Sequence, residues 1–112
     1  MLDSQYQYIN ELVAKTKLGD TDALNELVHY YKPLIFASIK RCLIREPKLI
    51  SYREDIEQES YLIINELVKQ YDETISLFSY YLLTRLDYRI LYRARRLIGQ
   101  NTSGQGIEET NF

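Results

Sequence analysis

The chain has 112 residues, 46% of them hydrophobic, and carries 14 Lys and Arg against 16 Asp and Glu for a formal net charge of −2. This length fits one domain with one modest core, and the charge excludes binding to nucleic acid through an overall positive charge. The single cysteine excludes an internal disulfide and a zinc site built from several cysteines.

The four glycines and two prolines are few enough to favour a helical protein. Ser4 and Gln7 match a capping box for a first helix. That helix is predicted to end at Gly19, because glycine readily adopts the left-handed conformation found after helix C-termini. Asp20 or Thr21 is the predicted N-cap of a second helix.

Two prolines mark the next boundaries along the chain. Pro33 begins a third helix, because proline disfavours helical geometry in the residue before it and is tolerated in a first turn. Pro47 lies in a connection, after which Ser51 and Glu54 match a second capping box and predict the start of a fourth helix. Apolar spacing predicts the buried face of that helix as Ile56, Ser60, Ile63, Ile64, Leu67, Val68 and Tyr71.

A polar break leads to a fifth helix, for which Ser76 is the predicted cap. Its buried side is predicted from the spacing of Phe78, Tyr81, Leu82, Leu86, Ile90 and Leu97. The segment from Arg53 to Glu73 carries seven acids against two bases, whereas that from Arg85 to Arg96 carries five arginines against one aspartate. The predicted fold is all-α: a compact bundle of four to five helices over residues 1–97, its last two helices antiparallel, and then a flexible polar tail at 98–112.

Little in the sequence supports catalysis. His29 and Cys42 lie on or beside apolar helix faces, and no glycine-rich phosphate loop or nucleophile motif occurs. Asp55 and Glu59 share a helix face that could hold a hard cation, but a solvated acidic face is more common. We therefore predict that the chain is not an enzyme and binds neither metal nor cofactor. No segment is apolar enough to span a membrane or matches a signal peptide, so a cytoplasmic location is expected.

The fifth predicted helix has arginines interleaved with tyrosines. Arginine neutralises phosphate and an aromatic ring stacks on an unpaired base, so the pattern favours a surface for single-stranded nucleic acid. A solvated amphipathic helix with tyrosines in the core gives a similar pattern, and composition leaves both interpretations open.

The order of these features resembles region 2 of bacterial RNA polymerase sigma factors, over roughly Glu11 to Leu97. The opening ELVAKTKLGDTDALNELVHYYKPLI is similar to the start of this module in small sigma factors. DIEQES, from Asp55, is similar to the family's acidic D-L-x-Q-E motif, and its helix ends in an aromatic-Asp pair, here Tyr71-Asp72. FSYY, from Phe78, is similar to its F-S-x-Y motif, and a basic helix follows.

The resemblance implies a site for each of two partners. The clamp helices of the polymerase beta-prime subunit would be bound by Asp55, Gln58, Glu59 and Leu62. The minus-ten promoter element, including the opened non-template strand, would be bound by Tyr80, Tyr81, Arg85, Tyr88, Arg89, Tyr92, Arg93 and Arg96.

The chain departs from that family in three ways. Thr84 and Arg85 stand where primary sigma factors have a tryptophan pair, and Asp87 adds an acid to the predicted DNA face. Only a short polar tail follows Leu97, where a helix-turn-helix module would read upstream promoter DNA. Either the chain is a fragment, or a second chain supplies that module, as in split sigma factors or relatives from phages and mobile elements.

Three functions follow from the sequence. The leading prediction is a sigma-like transcription initiation factor that binds core RNA polymerase and the minus-ten element. The second is a regulator that occupies the polymerase clamp, or another partner, and inhibits transcription without binding DNA. The third is a helical protein of another kind that places its arginine helix on duplex DNA.

Overall fold

The computed structural model describes residues 4–101, with side chains through Gly99, and this part of the chain is helical without a β strand. Its five α helices are α1 (Ser4–Lys17), α2 (Thr21–Tyr30), α3 (Lys32–Arg45), α4 (Arg53–Gln70) and α5 (Phe78–Asn101). A 3₁₀ helix at Pro47–Tyr52 connects α3 to α4. The predicted all-α fold is confirmed. Within residues 4–101 no helix combines the length and apolar character needed to cross a membrane.

The turn between α1 and α2 forms as its residue types predict. Gly19 has a φ of +96°, a left-handed conformation that disfavours side chains other than glycine's hydrogen. Its N–H donates to the Thr16 carbonyl at 2.9 Å, and the Asp20 N–H donates to the Lys15 carbonyl at 3.1 Å, the hydrogen-bond pair of a Schellman motif. Asp20 is also the N-cap of α2, since its carboxylate accepts from the Ala23 N–H at 3.1 Å. Two helices thus meet across three residues.

The capping box predicted at Ser51 and Glu54 is wrong. α4 begins at Arg53, directly after Tyr52, and no side chain caps it. Ser51 belongs to the 3₁₀ helix, which runs into α4 so that the Arg53 N–H donates to the Ile50 carbonyl. The preceding turn therefore supplies a hydrogen-bond acceptor for a backbone N–H at the start of α4, in place of the expected serine side chain.

The predicted cap of α5 is also misplaced. α5 begins at Phe78, so Leu77 and not Ser76 precedes it, and the Leu77 carbonyl accepts from the Tyr81 N–H at 3.0 Å. The Ser76 carbonyl accepts instead from the Tyr71 hydroxyl at 2.5 Å. In the same connection the Asp72 carboxylate accepts from the Thr74 N–H at 2.9 Å, which closes a local turn.

α4 and α5 are antiparallel, as predicted, because Glu59 pairs with Arg93 whereas Leu67, later in α4, contacts Tyr81, earlier in α5. The predicted apolar stripe of α4 is buried along its whole length. Opposite it α5 buries Phe78, Tyr81, Leu82, Leu86, Ile90 and Ala94. α1, α2 and α3 surround this pair, and α3 packs along α5.

Tyr81 closes the C-terminal end of α4. The last carbonyls of a helix lack partners within it, and the Tyr81 hydroxyl donates to one of them, the Leu67 carbonyl, at 2.7 Å. The Tyr81 ring packs on Tyr71 and Phe78, with ring centroids 4.9 and 5.8 Å away. Burial raises the pKa of the Tyr81 hydroxyl above its ordinary value. The side chain is 7% exposed and is part of the core.

α5 continues four residues beyond the predicted boundary at Leu97 and ends at Asn101. Ile98 packs partly against the core, and Gly99 lies inside the helix. The predicted flexible tail therefore begins too early at residue 98, and its remainder, 102–112, lies outside the described residues.

Candidate nucleic-acid and protein interfaces

An exposed stripe runs along the outer face of α5. Its members follow one another at helical spacings of three, four and four residues, so that they share one face: Arg85, Tyr88, Tyr92 and Arg96. Tyr88 is 69% exposed and Tyr92 52%, and their rings are stacked at an interplanar angle of 17° with centroids 6.2 Å apart. We call these four residues the α5 stripe. It presents two aromatic faces between two cations.

Neither arginine of the stripe pairs with an acid in the part of the chain that the structure describes. Arg85 lies over the Tyr81 ring at 4.4 Å and donates to the Thr84 hydroxyl at 3.1 Å, and neither contact neutralises its charge. Arg96 is exposed and makes no ion pair within residues 4–101. A positive charge without an acidic partner is available to a phosphate.

The structure does not bring the other predicted DNA-binding residues to this stripe. Tyr81 is buried, as described above, so its ring cannot stack on a base. Tyr80 is 62% exposed but lies at the N-terminal end of α5, before the stripe begins. Because Tyr81 is part of the buried aromatic cluster, the candidate nucleic-acid surface is narrower than the sequence predicts.

Arg89 and Arg93 face α4 instead of solvent. The Arg93 guanidinium donates to the carboxylates of Glu59 and Glu66, and its side chain is 20% exposed. Arg89 donates to the Gln70 side-chain oxygen at 2.8 Å and lies 3.9 Å from Glu66. The acidic residues of α4 and the basic residues of α5 therefore partly neutralise each other through ion pairs between the two helices.

Asp87 is not on the predicted DNA face. It points to α3, where its carboxylate accepts from the Ser38 hydroxyl at 2.5 Å and from Arg41 through two hydrogen bonds of 2.8 Å. The hydrogen bonds from Arg41, and then that from Ser38, hold the pKa of the Asp87 carboxyl below its ordinary value. The acid that argued against a DNA-binding helix instead joins α3 to α5.

This pairing predicts an acid-sensitive contact between α3 and α5. The folded pKa of Asp87 lies below the unfolded value of about 3.9, so the contact is present above that pH and is lost as the pH falls toward the folded pKa. We expect Asp87→Asn to lower the melting temperature at pH 7 and to reduce its further fall between about pH 5 and pH 3. Circular dichroism melts against pH measure this. Asp55→Asn is the control, because Asp55 makes no ion pair in the described chain; identical pH profiles for Asp87→Asn and wild type would contradict the prediction.

The predicted polymerase-docking residues divide into two groups. Asp55, Gln58 and Leu62 are exposed on one face of α4, and the Leu62 side chain is 48% exposed. Glu59 is half-buried and bound by Arg93. We call Asp55, Gln58 and Leu62 the α4 face. It sets a carboxylate and an amide beside an apolar side chain.

The potentially reactive side chains outside these two surfaces, Cys42 and His29, do not form a cluster. Cys42 is buried, and this burial raises the pKa of its thiol, which opposes formation of the reactive thiolate. His29 is exposed on α2. Within residues 4–101 no three His, Cys, Asp or Glu side chains are placed to hold a metal ion.

A comparison with family models gives one match, to a helix-turn-helix domain over residues 10–72. That range covers more than half of the chain and runs from α1 to the end of α4. The chain belongs to the helix-turn-helix domain family. This membership indicates a DNA-binding, transcription-related protein. Searches of curated proteins and of solved structures each returned no match.

Within the matched range of this helix-turn-helix domain, α1 and α2 are joined by three residues that include Gly19, a connection typical of the motif. The sequence signal was the glycine and capping aspartate between two amphipathic helices. The same signal also predicts an ordinary helix end, and the resemblance to sigma factors places a helix-turn-helix module only after Leu97. The exposed side of α2 carries Asp22 and Glu26, which repel phosphate, whereas the basic α5 stripe lies outside the match.

Proposed function

We propose that this helix-turn-helix domain is a sigma-like transcription initiation factor without catalytic activity. In this proposal α5 binds the opened minus-ten strand of promoter DNA, and the α4 face binds the clamp helices of core RNA polymerase. The observation that supports it most strongly is the α5 stripe, in which stacked tyrosines lie between arginines that have no acidic partner within residues 4–101.

The composition of the stripe favours an unpaired strand over a duplex. Each exposed aromatic ring can stack on one base, worth about 1–3 kcal/mol per base, and bases offer that face only when unstacked from their neighbours. Arg85 and Arg96 lie at the two ends of the stripe, where they can contact phosphates of the same strand. Asp87 adds no repulsion, because it is bound to α3.

Duplex DNA is the second candidate ligand, and family membership favours it. A helix-turn-helix protein that reads duplex DNA places its second helix in the major groove. The three-residue turn at Gly19 makes α2 the candidate for that helix. The exposed side of α2 is acidic, and we therefore rank this function below the first. Fluorescence anisotropy with matched single-stranded and duplex oligonucleotides distinguishes them. We expect tighter binding to the single strand; tighter binding to the duplex would support the second candidate.

The polymerase half of the proposal rests on the α4 face. A carboxylate and an amide beside an exposed leucine suit a basic helical partner with an apolar seam. We expect Asp55→Lys with Leu62→Ala to lower recovery of the chain with core RNA polymerase at least about tenfold, because a like charge opposes the partner and an apolar anchor is lost. Co-purification measures this. Glu73→Lys with Ile75→Ala, exposed in the α4–α5 connection, is the matched control.

Unchanged recovery of the Asp55→Lys, Leu62→Ala variant would show that the α4 face is not the docking site. Glu59 is left in place because its replacement would also release Arg93 and confound the result. A second chain that reads upstream promoter DNA stays a prediction. Transcription with core polymerase separates initiation from inhibition by a clamp-occupying regulator.

A further inference from the structure

Positive charge is concentrated on one side of the molecule. The segment from the start of α3 to the end of the 3₁₀ helix carries five cations against one acid, Glu46, and α5 carries five arginines against Asp87. α3 packs along α5, so the two basic elements are neighbours. α4, which faces the other side of α5, is acidic. The α5 stripe is therefore one part of a larger basic surface.

A groove of about 560 Å³ lies between α3 and α5. Its lining includes three arginines and one acid, with a tyrosine and a leucine: Arg41, Arg45, Arg95, Asp87, Tyr88 and Leu91. Tyr88 also belongs to the α5 stripe, where it stacks on Tyr92. The groove and the stripe are thus one continuous surface that shares a ring.

The cations of the groove exceed its acids. Arg41 binds Asp87, and Arg95 binds Glu46. Hydrogen bonds from Arg95 hold the pKa of the Glu46 carboxyl below its ordinary value, and the charges of Lys48 and Arg45 lower it further. Arg45 makes no ion pair within residues 4–101 and is exposed. One arginine charge therefore remains for an anion from outside.

We infer that the groove between α3 and α5 binds the sugar-phosphate backbone of the strand whose bases stack on the α5 stripe, with Arg45 as the phosphate contact. This inference rests on the proposed function. A strand that stacks on Tyr88 and Tyr92 has its backbone beside those rings, and Tyr88 also lines the groove. Guanidinium groups match phosphate oxygens in geometry as well as charge.

The groove suits a backbone better than a base or an apolar ligand. The Arg45 charge, which has no acidic partner within residues 4–101, can be satisfied by phosphate oxygens, whereas an apolar ligand would cover it without a partner. An acidic protein segment offers similar charge but no rings for Tyr88 and Tyr92 to stack on. Charge complementarity and the shared tyrosine together favour nucleic acid.

The test measures fluorescence anisotropy of labelled single-stranded oligonucleotides of roughly 4 and roughly 12 nucleotides, which bracket the site sizes of such surfaces. We expect Arg45→Ala to weaken binding of the longer strand about threefold to tenfold. The slope of log affinity against log salt should also fall in magnitude, by the amount that corresponds to roughly one phosphate contact. The shorter strand, which covers the stripe alone, binds unchanged. Arg53→Ala on α4 is the control, because it removes the same side chain from the acidic side of the molecule.

Tyr92→Ala, run beside these variants, separates the inference from the function on which it rests. If Tyr92→Ala weakens binding while Arg45→Ala behaves as Arg53→Ala does, the groove inference is wrong and the stripe stands. If Tyr92→Ala has no effect, or the wild type does not bind, the proposed function fails and the inference falls with it. Equal competition by polyglutamate and by an unlabelled oligonucleotide would assign the groove to acidic protein and overturn the inference.

Discussion

Tyr81→Ala should lower the free energy of unfolding by about 3–5 kcal/mol, the cost typical of removing a buried aromatic side chain. The ring packs on Tyr71 and Phe78, and its hydroxyl donates to the Leu67 carbonyl at the end of α4. Truncation leaves a cavity and a carbonyl without its donor. Urea denaturation followed by circular dichroism measures the loss.

Tyr92→Ala is the matched comparison, because it removes the same side chain from an exposed position on the same helix. We expect it to change the free energy of unfolding by less than about 0.5 kcal/mol. Binding to single-stranded DNA should weaken by the free energy that one stacked base contributes. The two tyrosines therefore report on different properties, one on folding and the other on binding. Similar stability losses for both variants would contradict the structural assignment.

Reversal of both end charges of the stripe should have the largest effect on binding. We expect Arg85→Glu with Arg96→Glu to weaken binding to single-stranded DNA by about 100-fold or more, since two charged hydrogen bonds are worth about 3 kcal/mol together at the low end. The slope of log affinity against log salt should fall in magnitude by roughly 1.4, from two phosphate contacts. Anisotropy titrations at several salt concentrations measure both quantities.

Lys15→Glu with Lys69→Glu is the control for this reversal. It changes the net charge of the chain by the same amount, but both lysines are exposed on α1 and α4, away from the stripe. Equal losses for the two double variants would mean that binding follows net charge alone. A loss confined to the α5 variant would locate the contact.

Local sequence signals predicted most of the fold. The periodic apolar residues of α4 and α5 are buried, and Gly19 and Asp20 form the predicted turn because their conformational and capping preferences act within a few residues. The failures at Ser51 and Ser76 arose where a neighbouring 3₁₀ helix or a backbone carbonyl satisfied the helix start. Helix existence was more predictable than helix ends.

Site residues were harder to predict, because their partners are distant in sequence. The resemblance to sigma factors assigned four arginines to DNA binding: Arg85, Arg89, Arg93 and Arg96. Glu59 and Glu66 on another helix bind the middle two. Asp87 was assigned to the DNA face because its partners, Ser38 and Arg41, lie almost fifty residues earlier. Helical periodicity gives the direction of a side chain around the axis of its helix. It does not say which other helix packs against that face.

The ion pair between Glu59 and Arg93 joins the helix proposed for protein binding to the helix proposed for DNA binding. Arg93 also binds Glu66 of α4, and its side chain is 20% exposed, so these contacts hold the two helices together within the fold. The α4 face and the α5 stripe are therefore carried on one pair of helices held together by ion pairs. Their relative position is set before either proposed ligand binds, so neither ligand has to pay the cost of arranging the other surface.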